Sequence, residues 1–459
     1  MSVLQPAQAL EFESTIARGR ALLGSRVIWN VSSTARGGGV AEMLASLLAY
    51  TRGAGLDARW VVIEGNPDFF RVTKRIHNML HGFAGDGMGL GEENDAIYRD
   101  TATRNARELA PLVRPGDVVL LHDPQTAGLI ESVRAVGAHA VWRCHVGVDE
   151  PNSLAEAAWD FLRPHVLSAD AVVFSRDAYV WEGLDRARVR VIPPSIDALS
   201  AKNQELDTDT ARSILRVAGL EEGTPPGEPV FSRRDGTPGR VDRPAERSGS
   251  PPLPVGAPAV IQVSRWDRLK DPIGVLQAFR DGIARRTDAH LVLAGPATAA
   301  VSDDPEGLEV LSAASRHRAA CPSDLRDRIH LFSLPMEDVG ENAAIVNALQ
   351  RRADVIVQKS LAEGFGLTVA EAMWKARPVV ASRVGGIREQ IEDRATGLLV
   401  EPRDLAGFAD AVAGVLEDPV AAREMGLRAR DAVREGFLGP IHLRHYVDLF
   451  EHLLSAPSQ

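Results

Sequence analysis

Glu363 and Glu371 enclose Gly364, Phe365, Gly366, Leu367 and Thr368 in the run Glu363-Gly364-Phe365-Gly366-Leu367-Thr368-Val369-Ala370-Glu371. Two carboxylates around a glycine-punctuated turn can grip a sugar joined to a phosphate. The glycines let an anion come close to the main chain, and a helix opening there offers unpaired N–H groups and the positive end of its dipole. The carboxylates would repel a bare phosphate, but they accept hydrogen bonds from hydroxyls on either side of one. Hydroxyls flanking a phosphate describe a nucleotide sugar. A purely structural role, two glutamates complementing a helix dipole, leaves the glycines between them unexplained.

A second constellation is cationic. Arg265 and Lys270 follow the apolar run 259–264, where open α/β sheets bind ligands, and an arginine fork with a mobile lysine can neutralise a departing diphosphate without a metal. Taken alone these are solvated loop charges; beside the paired glutamates they read as the donor site. Further polar residues end strand-like runs in the first half: His122-Asp123 and Arg143-Cys144-His145, with Asp123 suited to hold sugar hydroxyls. Glu64, and Lys74, His77 and Asn78 on the stretch after it, could face the same ligand, and a Gly37-Gly38-Gly39 loop opens another helix. Half-buried histidines, solvated charges and a flexible turn are the plainer readings of these residues.

The elements that must position these groups alternate. Strand-like runs at 26–31, 59–63, 117–121, 139–143, 171–174 and 189–192 are separated by helical spacing at 40–50, 95–109 and 154–163, which predicts a doubly wound parallel layer. A second series at 259–264, 290–294, 328–332, 354–358, 378–381 and 397–400 repeats the pattern, and a helix is expected over 367–375. Two Rossmann-like domains with a cleft between them follow: 1–195, with a C-terminal helix at about 438–459 packing back on it, and 196–437. The hinge is placed near Pro193-Pro194-Ser195-Ile196-Asp197. Segment 221–258 carries nine prolines among Gly, Ser and Arg, and its composition predicts a disordered insertion in the second domain.

Composition narrows the function classes. The 459 residues are 45% hydrophobic and 25% charged, enough for large cores, and 52 basic against 62 acidic residues argue against a dedicated nucleic-acid binder. Cys144 and Cys321 lie far apart, so neither a disulfide framework nor a zinc site is expected. The chain shows no export signal and no uninterrupted membrane-length apolar run, and a cytoplasmic setting is expected.

With Ser264-Arg265, Lys270 and Glu363 to Glu371, the chain resembles the retaining nucleotide-sugar glycosyltransferases of family four, which have the GT-B fold. Within that family it is most similar to the trehalose-forming glycosyltransferring synthases. The narrower resemblance rests on Ser33-Thr34-Ala35, Gly37 to Glu42, Val62 to Gly65, Phe69-Phe70, Val72 to Lys74, His77-Asn78 and His122 to Gln125. It rests also on Trp142 to His145, Pro151-Asn152, Pro193 to Asp197 and Glu371 to Lys375. The long segment 221–258 and the run Val146-Gly147-Val148-Asp149 depart from the family pattern.

The resemblance implies a retaining transfer of glucose from a nucleoside-diphosphate-glucose to free glucose, giving trehalose, with reversal left open. Arg265 and Lys270 would hold the diphosphate, Glu371 the ribose, Glu363 the donor glucose, and His145 the transferred sugar. Main chain from Gly364 through Phe365, Gly366 and Leu367 to Thr368 would touch phosphate or sugar, with Gly38 and Gly39 closing over the donor. Asp123, Glu64, Lys74, Asn78 and Arg143 would serve the acceptor. No metal and no required cofactor is implied, with magnesium stimulation left open. The partners would be nucleotide sugar, glucose and trehalose, with no nucleic acid and no membrane and a homodimer left open. A trehalose phosphorylase, a family-four transferase with another acceptor, and a non-catalytic nucleotide-sugar sensor are the alternatives.

Overall fold

Unbroken apolar runs make the strands, because a parallel sheet covered by helices on both faces offers no wet side for polar residues. The computed structural model describes residues 3–35, 38–297 and 305–455. The chain folds as two units, residues 1–195 with 437–459, and residues 196–436. In the first, β1 (Ile28–Ser32), β2 (Ala58–Val62), β3 (Val118–His122), β4 (His139–Cys144), β5 (Ala171–Phe174) and β6 (Val189–Val191) form one sheet. Its order is β2-β1-β3-β4-β5-β6 and every neighbour is parallel. The direction of winding therefore reverses between β1 and β3, and ligands of such sheets bind outside the carboxyl ends at that switch. The helix Gly439–Ser455 lays Leu443, Tyr446, Val447, Leu449, Phe450 and Leu453 into the core of this unit, against Leu47, Leu48, Val118 and Val141.

The second unit contains β7 (Val230–Ser232), β8 (Pro238–Arg240), β9 (Glu246–Arg247), β10 (Ala259–Val263), β11 (His290–Pro296), β12 (Ile329–Leu334), β13 (Val355–Gln358), β14 (Val379–Ser382) and β15 (Leu398–Val400). The main sheet runs β15-β14-β13-β10-β11-β12-β9, with β9 alone antiparallel. Its switch lies between β10 and β13, so the loops after Val263 and Gln358 leave the sheet side by side.

The disorder expected for 221–258 is corrected by the structure. β7 pairs with β8 as a hairpin and β9 extends the main sheet along β12. The side chain of Glu341, buried on the helix Val339–Arg352, accepts hydrogen bonds from the amides of Asp242 and Arg243, both at 2.6 Å, and pairs with the Arg243 guanidinium. Arg233 pairs with Asp338 at 2.6 Å, Arg352 with Glu221 at 2.8 Å, and the Pro251 carbonyl lies 2.9 Å from His330 Nδ1. Composition counts only what the segment carries. The partners that order it lie about a hundred residues further along the chain, where a local reading does not see them. Among the described residues, no helix is long and apolar enough to cross a membrane.

Candidate active site

The second unit brings Lys270 and Glu363 together. Lys270 ends the short turn Arg268–Lys270 after β10, and Glu363 follows β13, so the adjacency of these two strands joins residues 93 apart in sequence. Lys270 Nζ lies 2.5 Å from Glu363 Oε2, with side chains only 15% and 12% exposed. Ser360 Oγ donates to the same oxygen at 3.1 Å. Asp267 caps the turn through Leu269 N at 2.8 Å, and Gln262 Nε2 donates to the Lys270 carbonyl at 2.9 Å. Lys359, buried, pairs with Asp271 and donates to the Pro402 carbonyl at 2.9 Å, pinning the loop from its other end. Arg265 leaves the same sheet edge but turns to Asp267 at 2.8 Å, its side chain 64% exposed.

The turn after Glu363 has a fixed shape. Gly366 takes φ 85 and ψ 56 ahead of the helix Leu367–Trp374, and a Cβ there would meet Ile387 Cγ1 at 2.9 Å. Glycine is required for both reasons. Gly386 donates to the Gly364 carbonyl at 3.0 Å, and a Cβ at Gly386 would meet Phe365 Cα at 2.6 Å. Gln390 Nε2 donates to the Phe365 carbonyl at 2.5 Å. Glu371, buried on the helix, has Lys202 Nζ 3.6 Å from its Oε1, while Lys375 donates to its main-chain carbonyl at 3.1 Å and to Asn203 Oδ1 at 2.8 Å. Burial lowers the Lys375 pKa, and the Glu371 carboxylate opposes the shift.

In the first unit, Asp123, Arg143 and His145 join His122 and Asn30 in one cluster at the switch. Asp123, after β3, sits at φ 64 and ψ 179, a region that costs a non-glycine residue on the order of 1–3 kcal/mol. Hydrogen bonds hold it there: its amide donates to the Arg143 carbonyl at 2.8 Å, its Oδ1 accepts from His145 N at 2.8 Å, and its carbonyl accepts from Trp142 Nε1 at 3.0 Å and from Thr126 N at 3.2 Å. Burial pushes the Asp123 carboxyl up to about 6, against the opposing His145 amide and Arg143 charge. His122 Nδ1 lies 3.1 Å from His145 Nε2, His122 Nε2 lies 3.1 Å from Asn30 Oδ1, and Arg143 Nε donates to His145 Nδ1 at 3.3 Å. Burial, then Arg143, lowers His122 to about 3 and His145 well below the ordinary imidazole value, so both rings are neutral.

One expectation changes here. Arg143, expected at the acceptor, is wholly buried, its Nη2 donating to the Ile192 carbonyl at 2.9 Å and its guanidinium lying 5.6 Å from the Tyr446 ring. It stands behind the cluster. His145 has both ring nitrogens engaged within the cluster, to His122 and to Arg143. Exposed Glu64 is held through its main chain, exchanging 2.8 Å bonds with Asn105. Lys74 is exposed and Asn78 half-buried on the helix Pro67–Leu80, and among the described residues no hydrogen bond or ion pair ties the side chains of Glu64, Lys74 or Asn78 to the cluster. Gly39 is exposed in the first turn of the helix Gly38–Gly53, and Gly37 lies outside the described residues. Among the described residues no group of three or more His, Cys, Asp or Glu side chains could hold a metal ion.

Residues 30–181 match the family described as Trehalose synthase, N-terminal domain, and residues 245–432 match Glycosyl transferases group 1. The trehalose synthase of Rubrobacter xylanophilus is 38% identical over 435 residues, which span 94% of this chain and 92% of that one. The chain belongs to the trehalose synthase family. A trehalose phosphorylase of Pleurotus pulmonarius is 27% identical over 84% of this chain and 51% of its own length. The α,α-trehalose-phosphate synthase of Burkholderia xenovorans superposes with a TM-score of 0.67 at 16% identity, covering 93% of this chain and all of that one. The fold is GT-B, and this trehalose synthase family member is a hexosyltransferase of trehalose-related glycosyl transfer.

Sequence reasoning passed over Asn30, Ser360, Gln390 and Lys202 in this family member. A lone asparagine in an apolar strand was the one available signal for Asn30, since a buried polar side chain needs a partner. Nothing local marked Gln390, whose role appears only when the turn at Phe365 folds onto it.

Proposed function

We propose that the protein transfers glucose from a nucleoside-diphosphate-glucose to free glucose with retention of configuration, forming trehalose. The observation that carries the reading is the Lys270–Glu363 pair beside the Gly366 turn. When a donor arrives, Lys270 swings from the carboxylate to the diphosphate, and Glu363 is released to accept hydrogen bonds from glucose hydroxyls. The bond from the anomeric carbon to the diphosphate oxygen breaks as an acceptor hydroxyl adds on the same face. The leaving phosphate takes that hydroxyl's proton. Negative charge grows on the diphosphate during the step, so Lys270 and Arg265 favour the transition state over the ground state. Glu371 holds the ribose, while Asp123, Glu64, Lys74 and Asn78 serve the acceptor.

The reading needs no cofactor, treats magnesium as at most a stimulant, and confines the partners to small molecules in a cytoplasmic setting. Purified protein given ADP-, UDP- or GDP-glucose with free glucose should release nucleoside diphosphate and α,α-trehalose, identified by NMR of its anomeric signals. A second reading is favoured by the likeness to a trehalose phosphorylase. Glucose 1-phosphate formed from trehalose and phosphate, with no product from any nucleotide sugar, would establish that reading instead.

A further inference from the structure

Three contacts at the first switch form a chain with a direction. Arg143 Nε carries a hydrogen and no lone pair, so at 3.3 Å from His145 Nδ1 it can only donate. Nδ1 of His145 is then the acceptor, and the hydrogen of the neutral ring sits on Nε2. That hydrogen points along the 3.1 Å contact to His122 Nδ1, which must accept. The hydrogen of His122 is thereby placed on its own Nε2, 3.1 Å from Asn30, and Asn30 presents there its carbonyl oxygen, as a donor requires. Both ends of the chain thus demand the same pair of tautomers.

We infer that Arg143, His122 and Asn30 are positioning residues that lock the His145 ring in one tautomer through a one-way relay of hydrogen bonds. The inference rests on the proposed role of His145 beside the transferred sugar. Arg143 is the rigid source: it is enclosed, tethered to the Ile192 carbonyl at 2.9 Å, and stacked over Tyr446. Asn30 is the sink, 2% exposed in the middle of β1. The ring planes lie within 14° of parallel with centroids 5.4 Å apart, as an in-plane bond between ring edges requires, and the His145 main chain is pinned to Asp123 at 2.8 Å. Other titratable groups facing the pair are Asp123 after β3 and His442 on the helix Gly439–Ser455. The relay gives the imidazoles no proton to trade with a substrate. It fixes where the ring edge and the His145 carbonyl stand.

The direct test needs no substrate. In protein labelled with 15N-histidine, long-range proton–nitrogen spectra should show His122 and His145 as neutral Nε2–H tautomers between about pH 6 and pH 8. Either ring found as the Nδ1–H tautomer, or titrating within that range, overturns the inference. A second variant reads the same relay through catalysis. Asn30→Asp replaces an amide oxygen with a carboxylate at the His122 Nε2–H, which favours the imidazolium and forces His122 Nδ1 to become a donor opposite the Nε2–H of His145. The ratio of N30D to wild-type kcat/KM should then fall about tenfold for each pH unit below the new His122 pKa. A ratio constant across that range overturns the relay. If the wild type transfers no glucose from any nucleotide sugar, the proposed reaction fails while the NMR result still stands or falls alone.

Discussion

At the scale of single residues, the proposed donor side rests on a lysine paired with the carboxylate it would leave on binding. Lys270 and Glu363 are largely removed from water, so their mutual attraction is less screened than that of a surface pair. Arg265 differs, being exposed and paired with Asp267 two residues along. Lys270→Ala is expected to lower kcat roughly a hundredfold or more while the KM for glucose changes little, because in the proposed reaction the lost contact is to the leaving group and not to the acceptor. Steady-state kinetics of the folded variant checks this, and near-normal kcat would remove Lys270 from the machinery. The meeting of cation, carboxylate and glycine turn on this side was legible because such residues cluster within short stretches. The relay was not, because Asn30, His122 and Arg143 meet only through the order of β1, β3 and β4.

At the scale of elements, strand existence was readable and strand order was not. Runs such as Val118 to Leu121 and Val355 to Val357 announce buried parallel strands, whereas the neighbours β10 and β13 are set by crossovers that no window of sequence contains. Segment 221–258 shows the same limit from the other side. Its order is imposed by Glu341, Asp338, Arg352 and His330, which belong to other elements. Glu341→Gln removes one charged oxygen from a buried carboxylate that caps two amides and pairs with Arg243. The expected cost is about 1–3 kcal/mol, concentrated in this segment. Trypsin should therefore cut the variant faster at Arg233, Arg234, Arg240 and Arg247. Equal cutting of variant and wild type would show that Glu341 does not anchor the hairpin.

At the scale of the whole molecule, buried neutral histidines set an acid limit. His122 at about 3 and His330 at about 4, both lowered chiefly by burial, lie below the ordinary imidazole value of 6.5. Between about pH 6.5 and 4 the unfolded chain binds more protons at these sites, so stability falls as pH falls, by about 1.4 kcal/mol per pH unit for each fully differing site. Asp123, raised to about 6 by burial, runs the other way and offsets about one such site between its unfolded value near 4 and pH 6. His145 and His442, also lowered by burial, add to the loss. Denaturant midpoints should therefore drop steadily from pH 7 to pH 4.5, and a flat profile would contradict the buried neutral state of these rings. A different kind of consequence attaches to the helix Gly439–Ser455. The ribosome delivers it after both sheets, yet its leucines and aromatics seal the face of the first sheet made. Until residue 455 emerges, Leu47, Leu48, Val118 and Val141 lack their cover, while residues 196–436 form a continuous stretch with its own sheet and core. Synthesis order and completion order are thus reversed: the half begun first is closed second, and a chain stopped before this helix carries an open greasy wall for chaperones to find.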